Sequence, residues 1–217
     1  MNERAIAYID GYNLYYGLLK GTRCKWLDLW RFVRMLLRDD LDLVAVKYFT
    51  APIKTHPYDM AAIDRQKIYL QAVAAQGNVT TIQGFYAKNK TLAPFVDAQC
   101  SDCSVLKDGF VPVYKLEEKR SDVNLAAHLI TDAARDRAEC FALITGDSDQ
   151  VGAMEMVRYE FKKQVVVFNP HNGESLHLKK AATFYKNIPY DLPEKCQLPD
   201  VVILPNGRTI HRPPAWA

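Results

Sequence analysis

Residues 140–149 read CFALITGDSD. Cys140 to Thr145 show no alternation of apolar and polar positions. A strand wetted on one face alternates, so a run without alternation is covered on both faces, as in the interior of a parallel sheet. The run stops at Gly146, and a helix is predicted to open near Asp149. Residues 5–10 (AIAYID) repeat the pattern: a short apolar run that ends on an aspartate followed by Gly11. Residues 43–51 (LVAVKYFTA), 79–84 (VTTIQG) and Val165 to Phe168 read as further strands.

Amphipathic segments lie between these runs. Residues 28–38 (DLWRFVRMLLR) put Leu29, Phe32, Val33, Leu36 and Leu37 on one face, with Asp28 as cap. Residues 58–75 have helical spacing. Ser121 stands where a cap belongs, and Val123, Ala126, Ala127, Ile130 and Ala134 follow at helical intervals. Residues 174–181 make a short helix. Strands alternating with helices, each strand nearly all apolar, imply an α/β fold with a mainly parallel sheet covered on both sides. Residues 85–111 are expected to be a long irregular connection, and 112–116 a short strand. From about residue 189 prolines recur, and VVILPNGRTI reads as a β-hairpin about Asn206-Gly207. The expected organisation is one domain over 1–188 and a C-terminal extension over 189–217.

Composition excludes more than it selects. The chain has 217 residues, 49% hydrophobic and 24% charged, which is an ordinary globular balance. A net charge of +3 is too small to argue for a polyanionic partner without local clustering. MNERAIAYID lacks a signal-peptide run, and no stretch approaches the length of a membrane span. Five cysteines, an odd count, fit reduced thiols and a cytoplasmic location. No membrane partner is expected; a homo-oligomer is left open.

In open α/β sheets ligands bind beyond the carboxyl ends of the strands, where strand order reverses. Asp10 ends the first strand and Asp147 follows CFALIT. Asp149 begins the next helix, and Asp122 lies in the first turn of the helix before. If the first strand and CFALIT are neighbours, the acids converge. Four carboxylates in one place repel, and a divalent cation relieves the conflict. An all-oxygen set favours Mg²⁺ or Mn²⁺. Such an ion activates water and stabilises charge on a phosphodiester. Singly, each aspartate also reads as a turn residue or a helix-dipole partner; together, at strand ends, they read as a site. Asp10→Asn, being nearly isosteric, is expected to leave packing almost unaltered.

Three motifs then carry a resemblance. Asp10-Gly11-Tyr12-Asn13-Leu14, Glu118-Lys119-Arg120-Ser121-Asp122-Val123-Asn124-Leu125-Ala126 and Thr145-Gly146-Asp147-Ser148-Asp149 resemble, in order, the NYN-domain family, in its LabA-like branch, among the PIN-like nucleases. The resemblance spans roughly residues 5–187. It implies a three-layer α/β/α sandwich with sheet order 3-2-1-4-5. It also implies metal-dependent cleavage of RNA, with Asp10, Asp122, Asp147 and Asp149 as catalytic and metal-binding acids. Asn13 would orient Asp10 or a metal-bound water, and Thr145 and Ser148 would support the acids or bind phosphate. The chain departs from the family at Gln150, often apolar there, and at Phe161-Lys162-Lys163-Gln164, where the family has a glycine before the next strand.

Lys47, Lys54, Arg65, Lys88 and Lys90, with Tyr48, Phe85 and Tyr86, are candidates for a groove that follows single-stranded RNA by charge and stacking. Cys100 and Cys103 have zinc-ligand spacing but make half a site; completion needs a second pair, from His56, Cys196 or another chain, so a loop without metal is expected. The leading function is a metal-dependent endoribonuclease, a hydrolase. The alternative is a catalytically silent RNA-binding or regulatory module of the same fold. A phosphatase with an aspartate nucleophile would want an acid two residues after Asp10, where Tyr12 stands. Cleavage, binding alone, or release of phosphate from small esters separates the three.

Overall fold

The computed structural model of the protein describes residues 2–53, 59–94 and 110–217. The apolar run AIAYID becomes β1 (Glu3–Asp10), which passes directly into the short helix α1 (Gly11–Leu14) and a wider π-type turn, Tyr15–Leu19. There follow α2 (Leu29–Leu36), β2 (Leu41–Thr50), α3 (Ala61–Ala74) and β3 (Val79–Gln83). Next come β4 (Phe85–Pro94), β5 (Phe110–Lys119), α4 (Ser121–Ala134) and β6 (Cys140–Ile144). A 3₁₀ turn, Ser148–Gln150, leads to α5 (Val151–Tyr159), β7 (Gln164–Asn169), α6 (Leu176–Ala181) and β8 (Phe184–Asn187). The chain ends with α7 (Leu192–Lys195), the hairpin β9 (Val201–Ile203) and β10 (Thr209–His211), and a turn at Pro214–Trp216.

Six strands form one sheet in the order β3-β2-β1-β6-β7-β8. Every pairing in it is parallel. With β6 and β7 counted as fourth and fifth sheet strands, this is the order 3-2-1-4-5 extended by β8. The first strand and CFALIT are neighbours: Ile9 pairs with Ile144. Strand alternation splits the core into two layers. Ala5, Ala7 and Ile9 pack with α2 and α3, whereas Ile6 and Tyr8 pack with α4, α5 and α6. The result is a three-layer α/β/α sandwich. No helix among the described residues is long and apolar enough to cross a membrane.

Two expectations are corrected. Residues 85–94 are not irregular: β4 pairs antiparallel with all ten residues of β5, from Phe85 with Lys119 to Pro94 with Phe110, as a separate two-stranded ribbon. Mixed aromatics and lysines hid it, because an isolated ribbon buries no continuous apolar face. Ser121 is not the cap of α4. Arg120 holds that position with φ 80, and Ser121, already helical, hydrogen-bonds to Glu118. Asp28 does cap α2, accepting from the Arg31 N–H at 2.9 Å.

The C-terminal segment closes one face of the sandwich. Trp216, Ile210, Leu198 and Leu192 belong to the same buried cluster as Trp26 and Tyr69. The Trp26 indole donates to the Pro199 carbonyl at 2.8 Å, and the Leu198 N–H to the Trp26 carbonyl at 2.9 Å.

Candidate active site

Strand order reverses between β1 and β6, so the chain leaves these two strands in opposite directions and opens a crevice at their carboxyl ends. Asp10, the last residue of β1, is 3% exposed. It caps α1: its Oδ1 accepts from the Asn13 N–H at 3.0 Å, and its Oδ2 accepts from Asn13 Nδ2 at 2.5 Å. Thr145, just past β6, donates its hydroxyl to the same Oδ2 at 3.1 Å. The Asn13 side-chain oxygen Oδ1 in turn accepts from the Gly146 N–H at 3.2 Å and lies 3.0 Å from His171 Nε2. The Thr145 oxygen also accepts the Asp147 N–H at 3.1 Å, and Asp147 caps the next turn by accepting from the Asp149 N–H at 3.0 Å. Asn13 and Thr145 thus lock the end of β1 to the Thr145–Asp149 loop. Gly146 is required there: a Cβ would lie 2.4 Å from the His171 ring and 2.9 Å from Asn169 Oδ1.

These bonds change what Asp10→Asn would do. With Oδ2 accepting two donors, an amide nitrogen placed there would face the Asn13 amide, and the substitution is not neutral to packing.

Asp122 stands exposed in the first turn of α4. Burial first, then the charges of Asp10, Asp147 and Asp149, hold its carboxyl above the usual range. Burial also raises Asp10, against the bonds from Asn13 and Thr145, with Asp147 adding to the rise. A fifth acid joins them. Glu118 of β5 is raised by burial and by Asp10 and Asp122, against its bond to Ser121. Sequence reasoning quoted Glu118 within a motif and gave it no role; its position became meaningful only once β5 brought it back to the sheet. Among the described residues, none of these five carboxylates is in an ion pair.

The acids face a cleft of 1090 Å³ lined by Asp10, Asp122, Asp147 and Glu118 and by Tyr12, Tyr16, Tyr48 and Tyr86. Tyr12 and Tyr16 are half exposed with ring centroids 4.4 Å apart. The deep end is walled by Leu19, Tyr69 and Trp216. Ser148 and Asp149 are exposed and do not line the cleft, and among the described residues the Ser148 hydroxyl makes no hydrogen bond to the acids. Gln150 is buried, its amide donating to the Asp122 carbonyl at 3.5 Å, which ties the loop after β6 to α4.

The donor chemistry, all oxygen and with no ion pair to the acids among the described residues although Lys25, Arg65 and Lys119 also line the cleft, fits a hard divalent ion. The side chains as they stand are not drawn into a ligating group: among the described residues no three His, Cys, Asp or Glu side chains are gathered to hold a metal. Asp122 and Asp149 are exposed.

The basic candidates separate. Lys47 does not reach the cleft. Its ammonium, 12% exposed, pairs with Asp132, which is 1% exposed, and lies 3.2 Å from His128 Nδ1. Arg65 lines the cleft and is paired with Asp59. Lys88 and Lys90 project from the ribbon. Lys54, His56, Cys100 and Cys103 lie outside the described residues. Cys24, Cys140 and Cys196 are free thiols.

Residues 4–189 match the NYN domain. The chain is 30% identical, over 236 aligned positions, to 6-hydroxy-3-succinoylpyridine 3-monooxygenase HspA of Pseudomonas putida, covering 98% of this chain and 75% of that protein. A solved structure, a protein of unknown function from Vibrio parahaemolyticus, has a similar fold with a TM-score of 0.53 and 16% identity, over 91% of this chain and 97% of that one. With its acids at the reversal point of a parallel sheet and its match over most of its length, the chain belongs to the NYN domain family.

Proposed function

We propose that the chain is a ribonuclease that hydrolyses RNA phosphodiesters in this cleft with Mg²⁺ or Mn²⁺. The observation that carries the reading is a group of acids with no ion pair among the described residues, in a cleft where Arg65 and Lys119 are paired elsewhere, with Asp59 and Glu117. Asp10, Asp122, Asp147 and Glu118 line one cleft, and burial and mutual repulsion raise three of them. Asp10, Asp122 and Asp147 would hold the ion, with Asp149 completing the set. Bound there, the ion supplies an activated water and stabilises charge on the phosphodiester. The chain's own residues do the positioning. Asn13 and Thr145 fix the Asp10 carboxylate, and through Gly146 and the Asp147 N–H they fix the loop that carries Asp147. Tyr12 and Tyr16 offer ring faces beside the acids on which an unpaired base can stack, which favours single-stranded RNA. Assignment to the LabA-like branch of the family rests on the three acidic motifs.

The test uses Asp147→Asn and Asp122→Asn, whose carboxylates are not trapped between donors as Asp10 is. Each is expected to lower the rate of RNA cleavage on the order of a hundredfold, the usual cost of losing one strong electrostatic stabiliser. RNA affinity should change little, since phosphate contacts dominate it. Wild-type cleavage by both variants overturns the four-aspartate site. Wild type that binds RNA and never cuts it with any divalent ion moves the reading to a silent RNA-binding module.

A second reading follows from the relative named as a monooxygenase and from the aromatic side chains Tyr48, Tyr69 and Trp216 that line the cleft with the acids. It predicts oxygen uptake with 6-hydroxy-3-succinoylpyridine and an added two-electron reductant. Absence of uptake under conditions that support RNA cleavage removes it.

A further inference from the structure

We propose that one face of the β4–β5 ribbon is the track along which a single RNA strand is led to the acidic cleft; the proposal rests on the ribonuclease reading. The ribbon forms its own two-stranded sheet outside the main one. It is pinned at its base, where the Gly84 N–H donates to the Thr50 carbonyl at 2.9 Å. There a Cβ on Gly84 would lie 2.5 Å from the Lys119 carbonyl oxygen.

In an antiparallel pair, directly opposed residues share a face and faces alternate along each strand. The register therefore sorts the ribbon's side chains. One face carries Tyr86 with Glu118, then Lys88, then Lys90 with Tyr114, then Leu92. The other carries Lys119, Glu117 and Lys115. Both faces meet the cleft at the base of the ribbon, the first through Tyr86 and Glu118 and the second through Glu117 and Lys119, and the first carries the acid grouped with Asp10 and Asp122.

The two faces differ in charge. On the second, Glu117 pairs with both Lys115 and Lys119 and cancels much of their charge. On the first, Lys88 and Lys90 have no carboxylate partner among the described residues. Their ammonium groups lie 4.0 and 5.9 Å from the centroid of the Tyr114 ring, which attracts a cation without neutralising it. Tyr114 itself is 60% exposed. Two cations on residues whose Cα atoms are about 6.8 Å apart, two residues along a strand, lie beside an open aromatic ring. That combination of backbone charge and a stacking platform is what sequence-tolerant binding of a single strand uses. It also answers a problem the cleft creates: its carboxylates repel a polyanion, and cations on the approach offset that repulsion.

Binding is measured by anisotropy of a labelled single-stranded RNA on the full chain, without divalent ion so that nothing is cut. Lys88→Gln with Lys90→Gln is expected to weaken binding roughly 25-fold at 0.1 M salt and to reduce the log–log salt slope by about 1.4, the share of two phosphate contacts on a single strand. Tyr114→Ala should weaken it roughly tenfold through lost stacking. Lys115→Gln, on the neutralised face and not lining the cleft, should change it little. A loss from Lys115→Gln equal to that from Lys88→Gln with Lys90→Gln overturns the track and leaves the nuclease reading standing. So does wild-type binding by Lys88→Gln/Lys90→Gln in a chain that still cuts RNA once Mg²⁺ is added. Poly-glutamate competing as well as RNA shows a general polyanion surface and overturns the choice of RNA. A wild type that neither binds nor cuts RNA overturns both readings.

Discussion

Asp132 shows how far a charged residue's role depends on what surrounds it. It sits in α4, 1% exposed, and receives the Tyr8 hydroxyl at 2.5 Å, the Lys47 ammonium, and the Arg137 guanidinium at 3.0 Å. Burial pushes its carboxyl up, but Lys47, Tyr8 and Arg137 outweigh this and hold it below the usual range. Asp132→Asn removes the charge that pairs Lys47 and should cost about 3 kcal/mol at neutral pH, as breaking a buried pair does. The pH dependence has a definite sign. An acid with a lowered folded pKa stabilises above its unfolded value and loses that contribution as pH falls through the folded one. The gap in urea midpoint between wild type and Asp132→Asn should therefore be full near pH 7 and close as pH drops below the ordinary 3.8. A gap that persists unchanged into acid would show that packing, not charge, holds this cluster together. The same cluster explains why Lys47 reads as a surface cation in the sequence and is none: β2 turns it onto α4.

At the scale of elements, the turn between α5 and β7 carries a cost the sequence marks. Lys162 adopts φ 55, the left-handed region that a Cβ disfavours. Within Phe161-Lys162-Lys163-Gln164 the NYN resemblance expects a glycine. Lys162 is exposed, so Lys162→Gly gives up little contact. Relief of left-handed strain, roughly 1–2 kcal/mol, is partly offset by glycine's greater chain entropy. A net gain of about 1 kcal/mol should raise the melting temperature by about 2–4 °C in a chain of this size. A lower melting temperature in the variant would mean that the lysine side chain itself supports the turn. The start of α4 has the same strain at Arg120, with φ 80, and there the guanidinium stacks 5.0 Å from the centre of the Phe85 ring. That contact ties the first turn of α4, and so Asp122, to the base of the ribbon.

For the whole molecule the C-terminal segment is the informative part. Trp216 is 9% exposed, its ring centroid 6.4 Å from Trp26 and 6.1 Å from Tyr69, and it lines the deep end of the cleft. Trp216→Ala should cost about 3 kcal/mol, the low end for an aromatic truncated to alanine, because one side of the ring already meets the cleft. Unfolding should remain a single transition, since the segment shares its core with β1, β2 and α3. Two separate transitions in chemical denaturation would show that residues 189–217 fold as a unit apart from the sandwich.

The pattern of the chain alone determined the parallel sheet, its two-sided cover and the strand ends on which Asp10 and Asp147 fall, because burial on both faces removes alternation and leaves a local mark. It also carried the Asp28 cap, which depends on neighbours within a few residues. Tertiary structure alone decided which charges are spent and which are available. Lys47 is cancelled by Asp132 across 85 positions of chain, Glu118 enters the acid group only when β5 folds back, and Lys88 and Lys90 have no ion-pair partner among the described residues, with Glu117 turned by the register to the other face. Charge acts through space and falls off over a few ångströms, so its balance is set by neighbours that sequence order does not reveal.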